Sequence, residues 1–255
     1  MSLSPWAPRA WLCRALAVLA AASLLGCSRA PATLEEVIER NTEATGGRAA
    51  IEAVQSIRVD LHIVDPGFSV DGVYQAVRPG KMRIDVMSGG KHVFMEAFNG
   101  VRAWQWEGKG EAIVASQTAA AALQHGVELP GKLFGLHEAR QRGHKIDLTG
   151  RETMDGVNYY ILRLIFADGY ATSLYVDPGT WLITRRRDVR PLHADVNPTP
   201  TTIETRYADF RRIAGVLFAF ANTDVDLATG KVLETTTVKS LLVNPAVAEA
   251  IFERL

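Results

Sequence analysis

Residues 57–63 read IRVDLHI, with Ile57, Val59, Leu61 and Ile63 alternating with Arg58, Asp60 and His62. Successive side chains on a β-strand point to opposite faces, so a period of two marks an antiparallel strand with one face buried and one face wet. The pattern repeats downstream. Met82, Ile84 and Val86 alternate with Arg83 and Asp85; Val93, Met95 and Ala97 oppose Phe94, Glu96 and Phe98; Trp104 and Trp106 share a face. Short turn signals at Pro66-Gly67, Pro79-Gly80, Gly89-Gly90 and Asn99-Gly100 separate these runs, which makes them meander connections rather than crossovers.

On the N-terminal side, Thr33 and Glu36 have capping-box spacing, and Leu34, Val37 and Ile38 fall on one helical face. A helix is expected over 33–45, ended by Gly46-Gly47, with a second short one over 48–54. On the C-terminal side, QTAAAALQ at 117–124 is a helical interruption. Asp155-Gly156, Asp168-Gly169 and Asp177-Pro178-Gly179 then divide 144–189 into about four strands. Two or three more strands follow between Thr201 and Asn244, and Pro245 opens a terminal helix. The expected fold is mainly β (α+β), with one large antiparallel sheet of about eleven strands, a few helices and no internal repeat.

The chain has 255 residues, 47% of them hydrophobic and 22% charged, which excludes disorder and fits one or two domains. Its 28 Lys and Arg balance 28 Asp and Glu. That leaves no basic footprint for nucleic acid, which is not an expected partner.

The first 26 residues read as a targeting segment. Arg9 and Arg14 precede an eleven-residue apolar run, Ala15 to Leu25. Spanning a bilayer takes roughly 20 such residues, so the run is an export signal rather than an anchor. Leu24-Leu25-Gly26-Cys27 then resembles the lipobox of bacterial lipoprotein precursors. The resemblance implies a signal peptide over 1–26 and a Cys27 that carries a diacylglycerol and fatty acyl groups such as palmitate. The alternative is an ordinary cleaved signal followed by a chance cysteine. Because Cys13 lies within the leader, Cys27 would be the sole remaining thiol, with no internal disulfide and no thiolate metal cluster. At about 0.8 kcal/mol per buried methylene, two or three acyl chains hold stably to a membrane where one does not. Ser28, rather than Asp, resembles an outer-membrane sorting signal, so the expected location is the cell envelope, at the outer membrane facing the periplasm. Residues 27–32 form the lipidated N-terminus and linker, and the folded domain covers 33–255. Loss of the leader takes away Arg9 and Arg14 and leaves 26 basic and 28 acidic side chains, a formal charge of −2.

Several runs resemble the LolA/LolB-like superfamily of envelope proteins, in particular its outer-membrane lipoprotein-sorting branch. They are EATGGRAAIEAVQSIRVD (43–60), RPGKMRIDV (78–86), AFNGVRAW (97–104), GHKIDLTGRETMDGVNYYILRL (143–164), LYVDPGTWLI (174–183) and YADFRRIAGVLFAF (207–220), in order along nearly the whole mature chain. Ala214, Ala219 and Ile183 depart from the family pattern at turns. The resemblance implies an open half-barrel whose concave apolar side is covered by helices and holds acyl chains. The run YYILRLIF (159–166), apolar on both faces apart from Arg163, is consistent with a sheet that touches apolar material on each side, whether helices, more sheet or ligand.

The candidate cavity residues are Val59, Leu61, Met82, Ile84, Val93, Met95, Trp104, Trp106, Leu162, Leu164 and Phe166, which a simple packed core would use equally well. The thioethers of Met82, Met87 and Met95 suit chains of varied shape or irregular packing. No catalytic motif occurs, and the six His lack metal-ligand spacing. No catalytic residue, metal or cofactor is therefore assigned, and Asp60 and Asp85 are the carboxylates an undetected hydrolase would use. Within Arg185-Arg186-Arg187, residues 185 and 187 face one way and 186 the other. Arg185, Arg187 and Arg190, with Leu192, are candidates for membrane headgroup contact, against the plainer reading of a strand shielded by charge. The resemblance also implies a protruding loop with an apolar tip after this strand, for which Leu192 and Val196 are the candidates. The function implied is a membrane-anchored lipoprotein that accepts acyl chains of lipoproteins or lipids. The alternatives are an envelope sensor or scaffold that binds a protein or lipopolysaccharide, and a structural lipoprotein.

Overall fold

The computed structural model describes residues 32–192, 195 and 198–253. The leader, Cys27, the linker as far as Pro31, and His193 and Val196 of the long loop lie outside the described residues. In chain order the elements begin with α1 (Leu34–Thr45), α2 (Arg48–Glu52), β1 (Ser56–Asp65), β2 (Phe68–Val77), β3 (Lys81–Ser88), β4 (Lys91–Phe98), β5 (Ala103–Trp106) and β6 (Ile113–Val114). They continue with α3 (Gln117–Glu128), β7 (Lys145–Met154), β8 (Val157–Ile165), β9 (Ala171–Val176), β10 (Ile183–Arg190), β11 (Thr201–Ile213), β12 (Val216–Asp226) and β13 (Val232–Val243). Two 3-10 turns, Leu136–Glu138 and Glu249–Phe252, complete the unit.

All thirteen strands join one antiparallel sheet in the order β6-β5-β4-β3-β2-β1-β13-β12-β11-β10-β9-β8-β7. Consecutive strands pair throughout except β6 with β7, and β1 also pairs with β13, which unites the two ends of the meander in mid-sheet. The free edges are β6 and β7, consecutive in sequence, and the chain passes from one to the other through α3 and the first 3-10 turn. The sheet is curved and unclosed. Two strands exceed the expected eleven. One is β2, where Gly72 interrupts the apolar alternation; the other is β6, two residues long and too short to show any period.

The Thr33 hydroxyl caps α1 by accepting from Glu36 N–H at 3.1 Å, as the capping-box spacing requires. Helix α3 continues four residues past its expected end. No helix opens at Pro245. The chain there is irregular until Glu249, and the turn that follows buries Phe252 and brings the Ile251 carbonyl to Arg83 Nη1 at 3.1 Å.

One face of the sheet carries both large apolar clusters and is called the inner face here. In the first cluster Ile57, Val59, Met82, Phe218 and Phe220 pack with Ile51 of α2 and Val127 of α3. In the second, Leu162, Leu164, Leu174 and Val176 pack with Val37 and Ile38 of α1. Each such side chain contributes roughly 1.5–3 kcal/mol by leaving water.

Helix α1 stops where Gly46, at φ 145°, meets the β11–β12 turn. A Cβ on Gly46 would lie 2.4 Å from the Gly215 carbonyl oxygen, and the backbone conformation already disfavours any other residue. Gly46→Ala is expected to cost about 2 kcal/mol in urea denaturation. A wild-type midpoint would show that the contact relaxes freely.

Candidate ligand-binding hollow

Strand register places the inner-face residues in rows. One row reads Leu148, Leu162, Leu174, Arg186, Thr205, Asp224, Glu234 from β7 to β13. It is apolar under α1 and polar beyond. Another reads Leu241, Val59, Tyr74, Ile84, Glu96, Gln105 from β13 to β5. The polar stretch therefore lies between the two apolar clusters.

Lys132, on the loop after α3, stands over the Tyr74 ring at 4.6 Å. It is exposed to solvent, yet enough protein surrounds its ammonium that lost hydration, aided by the Arg186 charge and opposed by Asp224, pushes its pKa down to about 8. Because the Tyr74 ring belongs to the inner face, the Lys132 side chain lies in the space the sheet curves around rather than on its outer surface. Glu96, half-buried, reports the same setting. Burial, and then the charge of Asp195, pushes its carboxyl up to about 7. Burial also raises Glu234, with Asp224 adding to the effect, and it raises the phenol of Tyr207. Asp195 in turn ties the β10–β11 loop to the start of α3, accepting from Ser116 Oγ at 2.5 Å and from Ser116 N–H at 3.1 Å.

Most of the polar stretch is internally satisfied. Asp188 accepts from Tyr170 Oη at 2.5 Å and Arg190 Nε at 3.1 Å. Asp224 accepts from Thr205 Oγ1 at 2.5 Å and Arg190 Nη2 at 2.7 Å. The buried groups without a hydrogen-bond partner among the described residues include Tyr74 Oη, Thr184 Oγ1 and Arg186 Nε. Arg186 Nε lies 3.4 Å from Asp188 Oδ2, an ion-pair contact too poorly aligned to be a hydrogen bond.

The expected cavity residues separate into three groups. Val59, Leu61, Met82 and Ile84 share the inner face, with Leu61 and Ile84 only half-buried. Leu162, Leu164 and Phe166 also face inward, but α1 and Leu136 fill the space over them and leave them 0%, 0% and 4% exposed. Met95, Trp104 and Trp106 are on the opposite face, since Met95 pairs with Asp85 and Trp106, and Ala97 with Arg83 and Trp104. There Met95, Ala97 and Trp106 pack with Ala112 in a separate small core. Val93, half-buried, sits at the bulge where β4 slips against β3. The alternation of β4 and β5 was legible in the sequence; which face was inner was not.

Arg185, Arg187 and Arg190 are engaged with protein carboxylates rather than left free for lipid phosphates. Arg185 Nη1 and Arg187 Nε donate to Glu204 at 2.9 and 2.6 Å on the outer face, and Arg185 also pairs with Asp155. Arg187 donates to Glu152 at 2.9 Å, and Arg190 is held by Asp188 and Asp224. Leu192, half-buried, begins the loop. Arg186 faces opposite to its two neighbours, as the alternation requires.

Lys132, Tyr74, Tyr207 and Asp224 were not singled out from sequence. A signal existed in β12, where the inward series Val216, Phe218, Phe220 turns to Asn222 and Asp224 in mid-strand. Among the described residues no group of three His, Cys, Asp or Glu is placed to hold a metal ion, and no helix is long and apolar enough to cross a membrane.

An unclosed, curved antiparallel sheet with helices packed on its inner face is a LolA/LolB-like half-barrel. Solved structures with this fold include a LolA superfamily protein from Nitrosomonas europaea, at TM-score 0.54 and 15% identity over 88% of this chain and 98% of that one. A DUF1329 family protein from Desulfovibrio piger aligns at TM-score 0.56 and 12% identity over 88% and 98% of the two chains. A domain named for outer membrane lipoprotein sorting, from Vibrio parahaemolyticus, aligns at TM-score 0.55 and 11% identity over 85% and 94%. No family model matches the sequence, and no curated protein does.

Proposed function

We propose that the chain is a binding module of the bacterial cell envelope that holds acyl chains of lipids or lipoproteins in its half-barrel hollow and assists their localisation or transfer. In this reading Cys27 is the acylated anchor, so the module accepts its ligand at a membrane instead of shuttling between membranes. The observation that carries it is the uneven cover of the inner face. Leu61, Ile84, Val86, Phe94 and Val238 are only half-buried, whereas comparable residues under the helices are almost completely buried. Apolar surface left open inside a fold is what an acyl chain covers, at about 25 cal/mol per Å². The fold shared with a lipoprotein-sorting domain supports the same reading.

The test is native mass spectrometry of the intact chain extracted from membranes, which is expected to retain lipid. Val86 is half-buried on the inner face and belongs to no packed cluster, so Val86→Trp is expected to weaken binding of a pyrene-labelled acylglycerol about tenfold while leaving the unfolding midpoint unchanged. A chain free of lipid, together with a variant that binds like wild type, would remove the proposal.

A further inference from the structure

Lys132 has no carboxylate partner among the described residues, although three carboxylates, Asp188, Asp224 and Glu234, stand on the inner face of neighbouring strands and Asp224 is near enough to act on it. The reason is geometric. Asp188 and Asp224 spend their oxygens on Tyr170, Arg190 and Thr205, and Asp224 acts on Lys132 only at a distance. Arg186 Nη2 donates to Thr205 Oγ1 at 3.2 Å, but its Nε–H is unmet. Tyr74 Oη, on the ring over which the ammonium stands, is unmet as well. What is left over is thus a set of donors: the ammonium of Lys132, the Nε–H of Arg186 and the phenol O–H of Tyr74. Two of the three carry positive charge.

Unsatisfied buried donors, with an ammonium that no carboxylate contacts, match a group that only accepts and is negative. Beside them the inner face continues into the half-buried apolar surface of Ile84 and Val86. We infer that the hollow is selective for acyl ligands that end in an oxyanion, a fatty carboxylate or a lipid phosphate, with Lys132, Arg186 and Tyr74 as the head-group site. The inference rests on the acyl-binding reading and narrows it, because the acylated N-terminus of a lipoprotein carries no such anion. The head group takes up the spare donors and pairs the Lys132 charge, while the chain covers the apolar wall.

Binding of oleate and of its neutral methyl ester to the intact chain separates the two ideas. Wild type is expected to prefer oleate by about tenfold, the increment of one charge-assisted pairing. Lys132→Met should bring oleate down to the level of the ester and leave the ester unchanged, which also shows that the variant is folded. Lys132→Arg should keep most of the preference. A preference for dioleoylphosphatidylglycerol over dioleoylglycerol, without one for oleate, assigns the same site to a phosphate head group. Equal binding of each anionic lipid and its neutral counterpart, or an equal loss of both in Lys132→Met, overturns the head-group site and leaves acyl binding standing. Failure to bind any of these lipids removes both.

Discussion

Glu204→Ala is expected to destabilise the fold by about 3 kcal/mol, among the largest effects of any single substitution in the sheet. The carboxylate is 1% exposed and receives Arg185 Nη1, Arg187 Nε and Arg206 Nε at 2.9, 2.6 and 2.7 Å. Removing it strands two largely buried guanidiniums that lie over Tyr159 and Tyr175 on the outer face. Breaking one partner of such a set costs more than the set itself contributes, because the remaining charges have already left water. Arg185 and Arg187 keep Asp155 and Glu152, which holds the figure at the lower end of the range for buried pairs. Urea denaturation of the variant measures it. A loss below about 1 kcal/mol would mean that the outer pairs suffice, and Arg185 and Arg187 would again be free enough to meet lipid head groups.

The second large effect depends on pH. The Glu96 carboxyl titrates near 7 in the fold against 4.5 for an unperturbed glutamate, chiefly through burial and then through the charge of Asp195. A carboxyl that holds its proton more tightly when folded favours the folded state fully below its unfolded pKa, and that advantage is lost as pH rises through the folded one. At about 1.4 kcal/mol per pH unit, and allowing for the half-open setting, stability should fall by about 2–3 kcal/mol between pH 4.5 and pH 8 on account of Glu96. Glu96→Gln is neutral throughout, so it should match wild type near pH 4.5 and exceed it at pH 8. Taking the difference between the two proteins cancels the contributions of Lys132 and Glu234, which titrate in both. Parallel stability curves would show that Glu96 is solvated like any surface carboxylate.

The strand runs of the sheet were legible because apolar and polar residues alternate so regularly from Ile57 to Trp106 and again from Tyr159 onward. The cap at Thr33 was equally plain. Alternation says that two faces differ; it does not say which one the helices cover, and so Trp104 and Trp106 were grouped with Val59 although they face the other way. The polar part of the inner face was the least legible. Arg186 reads in sequence as one of a charged trio, and only the register that sets it beside Thr205 and Asp224 shows an arginine pointing into the fold. Lys132 lies on a loop whose path no periodicity records.

Because β6 and β7 end the sheet without meeting, no hydrogen-bonded seam fixes the girth of the arc. A closed barrel of the same strands would have to break a ladder to admit a thicker cargo. This one needs only to flex its strand-to-strand twist, with α3 and the loop bearing Lys132 as the connection across the gap, so the space it curves around can widen without any strand losing its neighbours.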